Sequence, residues 1–375
     1  VEYFVTKFDE SVPAGAKRAV VDDSIMIKGS PAAAGSKIFG NFISPVEAEA
    51  VRKLKAAGIV IAGRTLMNEF GTNGLFELKN SKYGLENSLE RLEIVNSGAV
   101  AAVAENAADF ALCNDYTGAV SLEAAEHGLY YIHPTYGTVS RYGLIPSVQS
   151  MDQIGVVCRS PSEGFQILEI ISGHDPKDGA MIDPDCASGR QEMENVRLDG
   201  ADIKIGIPSN IENGLWESAT AVSLLGFAPG VETVDTELKH FEYCNPVMQI
   251  LCCAELSNNI SRYDGIKFGY RAEGYGDLRE LYTKTRSAFG PHVKLAAMAG
   301  ALVLSHDNYL KFYDKAMRVR RLIRDSLEFN KYDAIVVPTP GIARLCGIPA
   351  VTMPLMTIAA APGREDILMA ITGNK

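Results

Sequence analysis

The chain has 375 residues, 47% of them hydrophobic and 22% charged, with a formal net charge of −10 at pH 7. A chain of that length buries a large core, as one big domain or as two. The acidic balance, with no basic run to neutralise phosphates, excludes a general nucleic-acid binder. No apolar run reaches the roughly 18 residues that a membrane span needs, and Val1-Glu2-Tyr3-Phe4 is not a basic segment leading into an apolar one. A cytoplasmic setting without a membrane partner is therefore expected. Seven cysteines, at 113, 158, 186, 244, 252, 253 and 346, form no CxxC pair. An odd, scattered set predicts reduced thiols rather than a disulfide framework or a zinc site, and no metal or cofactor is expected.

In chain order, residues 44–57 read as a helix with apolar positions at Val46, Ala50, Val51 and Leu54. Ser44 suits its N-cap, Pro45 its first turn and Gly58 the position just past its end. Residues 59–63 follow as a short buried strand. The alanine- and valine-rich stretch 99–110 predicts a helix packed tightly on its neighbours. Residues 175–196 read as a long surface loop, with clustered charges and small residues. Strands are expected at 201–208 and 332–338, with helix around 219–225. Alternating strands and helices predict an α/β fold. There is no internal repeat and no evident linker, so one domain over 1–375 is expected.

Certain motifs are more specific. Pro134-Thr135-Tyr136-Gly137, then Ser140-Arg141-Tyr142-Gly143 and Asp152-Gln153-Ile154-Gly155, resemble hallmarks of the amidase-signature family. Residues 44–63, Met67-Asn68-Glu69-Phe70, Ile171-Ser172-Gly173-His174-Asp175-Pro176, Ser261-Arg262-Tyr263-Asp264-Gly265, 282–286 and 318–340 continue the match in order. Within the family the resemblance is to the A subunits of aspartyl/glutamyl-tRNA amidotransferases. It covers nearly the whole chain. It implies a mixed β-sheet core flanked by α-helices, an α/β/α arrangement, here with the family's N-terminal helical section truncated.

The family hydrolyses amides with a lysine, a relay serine and a nucleophilic serine. An alcohol is a weak nucleophile at neutral pH and needs a base within hydrogen-bond reach. A desolvated lysine supplies it, a second serine relays the proton, and backbone amides hold the oxyanion. The resemblance places Asp22, in Val21-Asp22-Asp23-Ser24-Ile25, where the lysine belongs. Val95 stands at the relay serine and Ala119, in Asp115-Tyr116-Thr117-Gly118-Ala119-Val120-Ser121, at the nucleophile, and the arginine of that run is Ser121. The 24-residue separation of Val95 and Ala119 matches the family pattern. No catalytic residue is therefore expected. Asp22 should be solvated, hydrogen-bonded or protonated, since an unpaired buried carboxylate is costly. The substrate end is also shortened, because Pro338-Thr339-Pro340-Gly341 runs almost directly into Leu345-Cys346-Gly347-Ile348-Pro349-Ala350.

Tyr116, Thr117, Gly118, Ser121 and Arg262 remain as ligand-binding candidates in the vestigial cleft. Arg262 lies in a segment similar to one that contacts the substrate carboxylate in the tRNA enzymes, and a structural role is the alternative. Other arrangements compete. Ser121, Glu123 and His127 could form a new hydrolytic set or simply a solvated helix start. Asp22, Asp23 and Asp115 could gather around a cation or cap turns. Cys113, like Cys252-Cys253, reads as apolar filling more readily than as a nucleophile. Thr117 and Ser97 are hydroxyls left without the activating lysine. The expectation is a catalytically inactive homologue kept as a binding, scaffold or assembly protein. A homo-oligomer or an amidotransferase-like partner subunit fits that role, with no ligand named by the sequence. The alternative is an amidase, or a hydrolase like the A subunits of glutaminyl/asparaginyl-tRNA amidotransferases, with a rebuilt or partner-completed site.

Overall fold

A computed structural model of the chain describes residues 3–8, 13, 15–76, 97–182, 203–211 and 231–373. Among them, eleven strands form one mixed sheet. The first half of the sheet holds β1 (Phe4–Lys7), β2 (Arg18–Asp22), β3 (Val60–Thr65), β4 (Phe110–Asn114), β5 (Tyr130–His133) and β6 (Ile154–Cys158). The second holds β7 (Ile203–Pro208), β8 (Val231–Thr236), β9 (Ala334–Val337), β10 (Ala350–Met353) and β11 (Met356–Ala360). The order across the sheet is β1-β3-β2-β4-β6-β5-β10-β11-β9-β7-β8. β2 runs parallel to β3 and β4, as β7 does to β8 and β9, and antiparallel pairs join the two groups.

Period-two alternation sends neighbouring residues to opposite layers. On β2, Ala19 and Val21 join the core that also holds Leu54, Phe165 and Leu368, while Val20 faces the layer of Val100, Val103 and Ala124. On β9, Ala334 and Val336 take the first layer, while Ile335 and Val337 pack with Leu251, Val293 and Ile323. Sheet between helical layers is the predicted α/β/α arrangement.

The helix expected over 44–57 is α1 (Glu49–Ala56). Ser44 does not cap it. Its hydroxyl donates to the Val46 carbonyl at 2.6 Å and accepts the Val46 N–H at 3.3 Å, closing a local turn instead. Gly58 sits past the end at φ +79, as its place predicted. The stretch 99–110 is not one helix. α2 (Gly98–Ala104) ends early, Asn106 turns the chain at φ +60, and Phe110 already belongs to β4. The Asp109 carboxylate accepts the Arg18 N–H at 2.6 Å and so pins that strand start beside β2. Where described, the 175–196 stretch is loop as read, with Pro176, Lys177 and Gly179 exposed, but two of its carboxylates are not. Asp175 and Asp178 are buried, accepting hydrogen bonds from Ser140 Oγ at 2.7 Å and Arg141 Nη2 at 2.7 Å. Residues 183–196, like the helix expected around 219–225, lie outside the described residues.

Candidate active site

Open α/β sheets form their sites beyond the carboxyl ends of parallel strands. Here those ends belong to β2 and β4, which finish at Asp22 and Asn114. Asp22 is buried. Its Oδ2 accepts the Asn114 N–H at 2.7 Å, and its Oδ1 accepts the Ser24 N–H at 3.0 Å and the Ser24 hydroxyl at 2.5 Å. Burial outweighs these bonds and raises its pKa to about 6. Asp22 is thus a hydrogen-bonded carboxyl that ties β2 to β4. Val95 lies outside the described residues.

The turn after β4 carries Ala119, the residue that the sequence resemblance set against the nucleophile. Asp115 caps it: one carboxylate oxygen accepts the N–H of Gly118 at 3.0 Å and of Val120 at 3.1 Å, the other that of Ser121 at 3.0 Å. Gly118 takes φ +88 and opens α3 (Ala119–Glu126), which places the Ala119 methyl at the head of the helix. Two positions along, Ser121 is fully buried and donates its hydroxyl to Asp115 at 2.5 Å. Arg344 reaches the same cluster from α9, a short helix (Gly341–Cys346) that follows β9 directly. Numbered with it in chain order are α4 (Pro161–Ile171), α5 (Cys244–Ile260), α6 (Leu278–Arg286), α7 (Pro291–Leu304), α8 (Lys315–Asp325) and, after it, α10 (Glu365–Thr372). The Arg344 guanidinium donates to the Asp115 carboxylate at 2.9 Å, to the Asp115 carbonyl at 3.1 Å and to Ser121 Oγ, and lies over the Tyr131 ring. Sequence reading found the arginine missing at Ser121 but not this one. Its signal was a lone cation inside an otherwise apolar stretch.

The same α9 narrows the space above Ala119. A Cβ on Gly118 would stand 2.9 Å from Pro340 Cγ, and one on Gly341 would stand 2.8 Å from Met248 Sδ. From the other side, a Cβ on Gly74 would stand 3.0 Å from the Ala119 methyl. Backbone therefore lies against the head of α3 on both sides.

The remaining candidates are dispersed. Tyr116 is buried and donates its hydroxyl to the Phe70 carbonyl at 3.0 Å, so it faces the core. Thr117 Oγ1 accepts the Ala119 N–H at 3.3 Å, and Ser97 caps α2. Glu123 spends both oxygens on the Ser97 N–H, at 2.8 and 3.0 Å, and His127 lies on the exposed end of α3, so Ser121, Glu123 and His127 make no relay. Cys113 is buried, and burial pushes its thiol well above the ordinary range. Asp23 is paired with Arg64 at 2.5 Å, Asp115 with Arg344, and no three potential metal-ligating side chains gather among the described residues. Arg262 lines a separate cavity of about 540 Å³ that none of residues 115–121 borders. Its guanidinium donates to the Asn259 carbonyl at 2.8 Å and to Asn259 Oδ1 at 2.9 Å.

The family model described as Amidase matches residues 19–349. The A subunit of the glutamyl-tRNA(Gln) amidotransferase of Lachnoclostridium phytofermentans is 37% identical over 354 residues, spanning 91% of this chain and 70% of that protein. Its counterpart from Akkermansia muciniphila is 34% identical over 391 residues, spanning 93% of this chain and 81% of that protein. The crystal structure of the A subunit of the Thermotoga maritima glutamyl-tRNA(Gln) amidotransferase superposes with a TM-score of 0.70 at 24% identity, covering 98% of this chain and 86% of that one. No described helix is long and apolar enough to cross a membrane. A matched model over most of the length, relatives well above 30% identity and the α/β/α sheet agree: the chain belongs to the amidase family.

Proposed function

We propose that this chain is a non-catalytic amidase-family protein, retained in the cytoplasm for binding or assembly. The observation that supports the reading is Ala119 at the head of α3, a methyl group at the position where the family resemblance expects the nucleophilic serine. Asp22 does not replace the missing base, because its oxygens are engaged by Ser24 and Asn114. The valine at 95, assigned by sequence to the relay, has no exchangeable proton. Loss of every member of such a set leaves only the weak contribution of binding groups. A partner subunit fits the reading, since the similar proteins are themselves named as one subunit of an amidotransferase.

A second reading, an amide hydrolase with a rebuilt or partner-completed site, draws on one observation. The Asp22 carboxyl titrates near 6, within the range of a general base. The two separate in an assay of ammonia release from glutamine, asparagine and benzamide by the purified chain. The first reading expects no release above buffer. Turnover that Asp22→Asn abolishes would overturn it.

A further inference from the structure

Away from the head of α3, the chain forms a cavity of about 540 Å³ between the 38–42 segment, residues 145–146 and the 262–271 loop. That volume lies within the range of small-molecule sites, which are mostly apolar with a few placed polar groups. Its floor is rigid. Phe39 and Tyr263 are buried and meet edge to face at 4.8 Å, and Phe42 stands 5.7 Å from Phe39. Its rim is aromatic and solvent-facing, with Phe268 57% and Tyr270 42% exposed. Aromatic rings lining a cavity offer apolar surface on which a planar group can stack.

The loop is held in place by its own bonds. Tyr270 N–H donates to the Ile38 carbonyl at 2.6 Å, Gly265 N–H donates to the Phe268 carbonyl at 3.0 Å, and the Asp264 carboxylate accepts the Ile266 N–H at 2.8 Å. Gly269, at φ +83, lies so close to the floor that a Cβ would stand 3.1 Å from Ile38 Cγ1. These bonds fix the backbone course of the loop around the cavity.

The charge at this cavity runs against that of the whole molecule. Lys267, Arg271 and Arg262 line it, and no described aspartate or glutamate does, on a chain whose net charge is −10. Arg262 is committed to Asn259, and Arg271 is steadied by the Tyr275 ring at 5.5 Å and its hydroxyl. Among the described residues, the Lys267 ammonium has no hydrogen-bond or ion-pair partner. Cations at the mouth of an aromatic pocket select an oxyanion attached to a ring.

We propose that this cavity binds a small planar aromatic carboxylate, its ring between the Phe39/Tyr263 floor and the Phe268/Tyr270 rim and its carboxylate at Lys267 and Arg271. The site goes beyond the non-catalytic reading and does not need it, since a hydrolytic chain could carry the same pocket. Calorimetric titration with naphthalene-2-carboxylate, against the neutral and unhydrolysable isostere 2-acetylnaphthalene, tests it. The expected result is one saturable site for the carboxylate, at least fivefold weaker binding of the ketone, and at least tenfold weaker carboxylate binding by the Lys267→Ala/Arg271→Ala double variant. Phe268→Ala should weaken both compounds, and Lys311→Ala, on an exposed segment elsewhere, neither. Both loop cations are exposed, so circular dichroism should show the double variant folded. Equal binding of carboxylate and ketone, binding unchanged in the double variant, or no saturable binding at millimolar carboxylate would each overturn the proposal.

Discussion

Arg344 changes how the loss at Ser121 is understood at the scale of single residues. Asp115 is buried and caps the turn that launches α3, so its charge requires a partner. The family pattern implied an arginine two residues past the nucleophile. This chain has a serine there and supplies the guanidinium from α9. The turn is thus kept in shape. Arg344→Ala leaves a buried carboxylate unpaired and should cost about 3–5 kcal/mol in urea unfolding. Adding Ser121→Arg in that background should recover part of the loss, and no recovery would mean that Arg344 acts by packing alone. Asp22 makes a second prediction. Its folded-state pKa of about 6 lies above the ordinary 3.8, so the folded chain holds that proton more tightly than the unfolded one. The resulting stabilisation is fully present below about pH 4 and is lost as pH rises through 6. Two pKa units correspond to roughly 3 kcal/mol. Stability measured against pH for the natural chain, relative to Asp22→Asn, should therefore fall by about that much between pH 4 and pH 7. The chemistry at 119 is testable as well. Under the non-catalytic reading, an Ala119→Ser variant should stay unlabelled by a fluorophosphonate probe, because Ser24 and Asn114 hold the Asp22 oxygens and a valine at 95 has no proton to relay.

At the scale of elements, α9 is the decisive piece. It follows β9 after only Pro338, Thr339 and Pro340, and its start packs on the Gly118 turn. Gly118→Ala combines a left-handed backbone with a Cβ 2.9 Å from Pro340 Cγ. It should cost about 2 kcal/mol or more in chemical denaturation, and a neutral result would mean that the turn shifts freely. Local pattern located most elements but misplaced their ends. Gly58 marked the end of α1 because a left-handed residue is a local requirement. Ser44 misled because its hydroxyl had a nearer partner in Val46. Alanine and valine from 99 to 110 looked like one helix, yet Phe110 is taken by β4, where pairing with β2 and β6 outweighs helix propensity. Residues 175–196 read as a surface loop, and only docking against Ser140 and Arg141 explains the burial of Asp175 and Asp178 within it.

Across the whole molecule, the sheet runs unbroken from β1 to β8 among the described residues. The six described cysteines are free and buried, and burial raises the thiols of Cys113 and Cys252 well above the ordinary range and those of Cys244, Cys253 and Cys346 to about 12. Titration with a disulfide reagent should therefore leave at least six thiols unreacted until denaturant is added. Rapid reaction of more than one under native conditions would contradict their placement. By itself the sequence determined the fold class, the family and the identity of the groups at positions 22, 95 and 119, because motif order and side-chain chemistry are local facts. Only the tertiary structure decided that Ser121 and Tyr116 are committed to the interior, that Arg262 borders a different cavity, and that Arg344 holds Asp115. Those outcomes rest on contacts between residues more than a hundred positions apart in some cases, and no spacing along the chain encodes which buried charge will meet which partner.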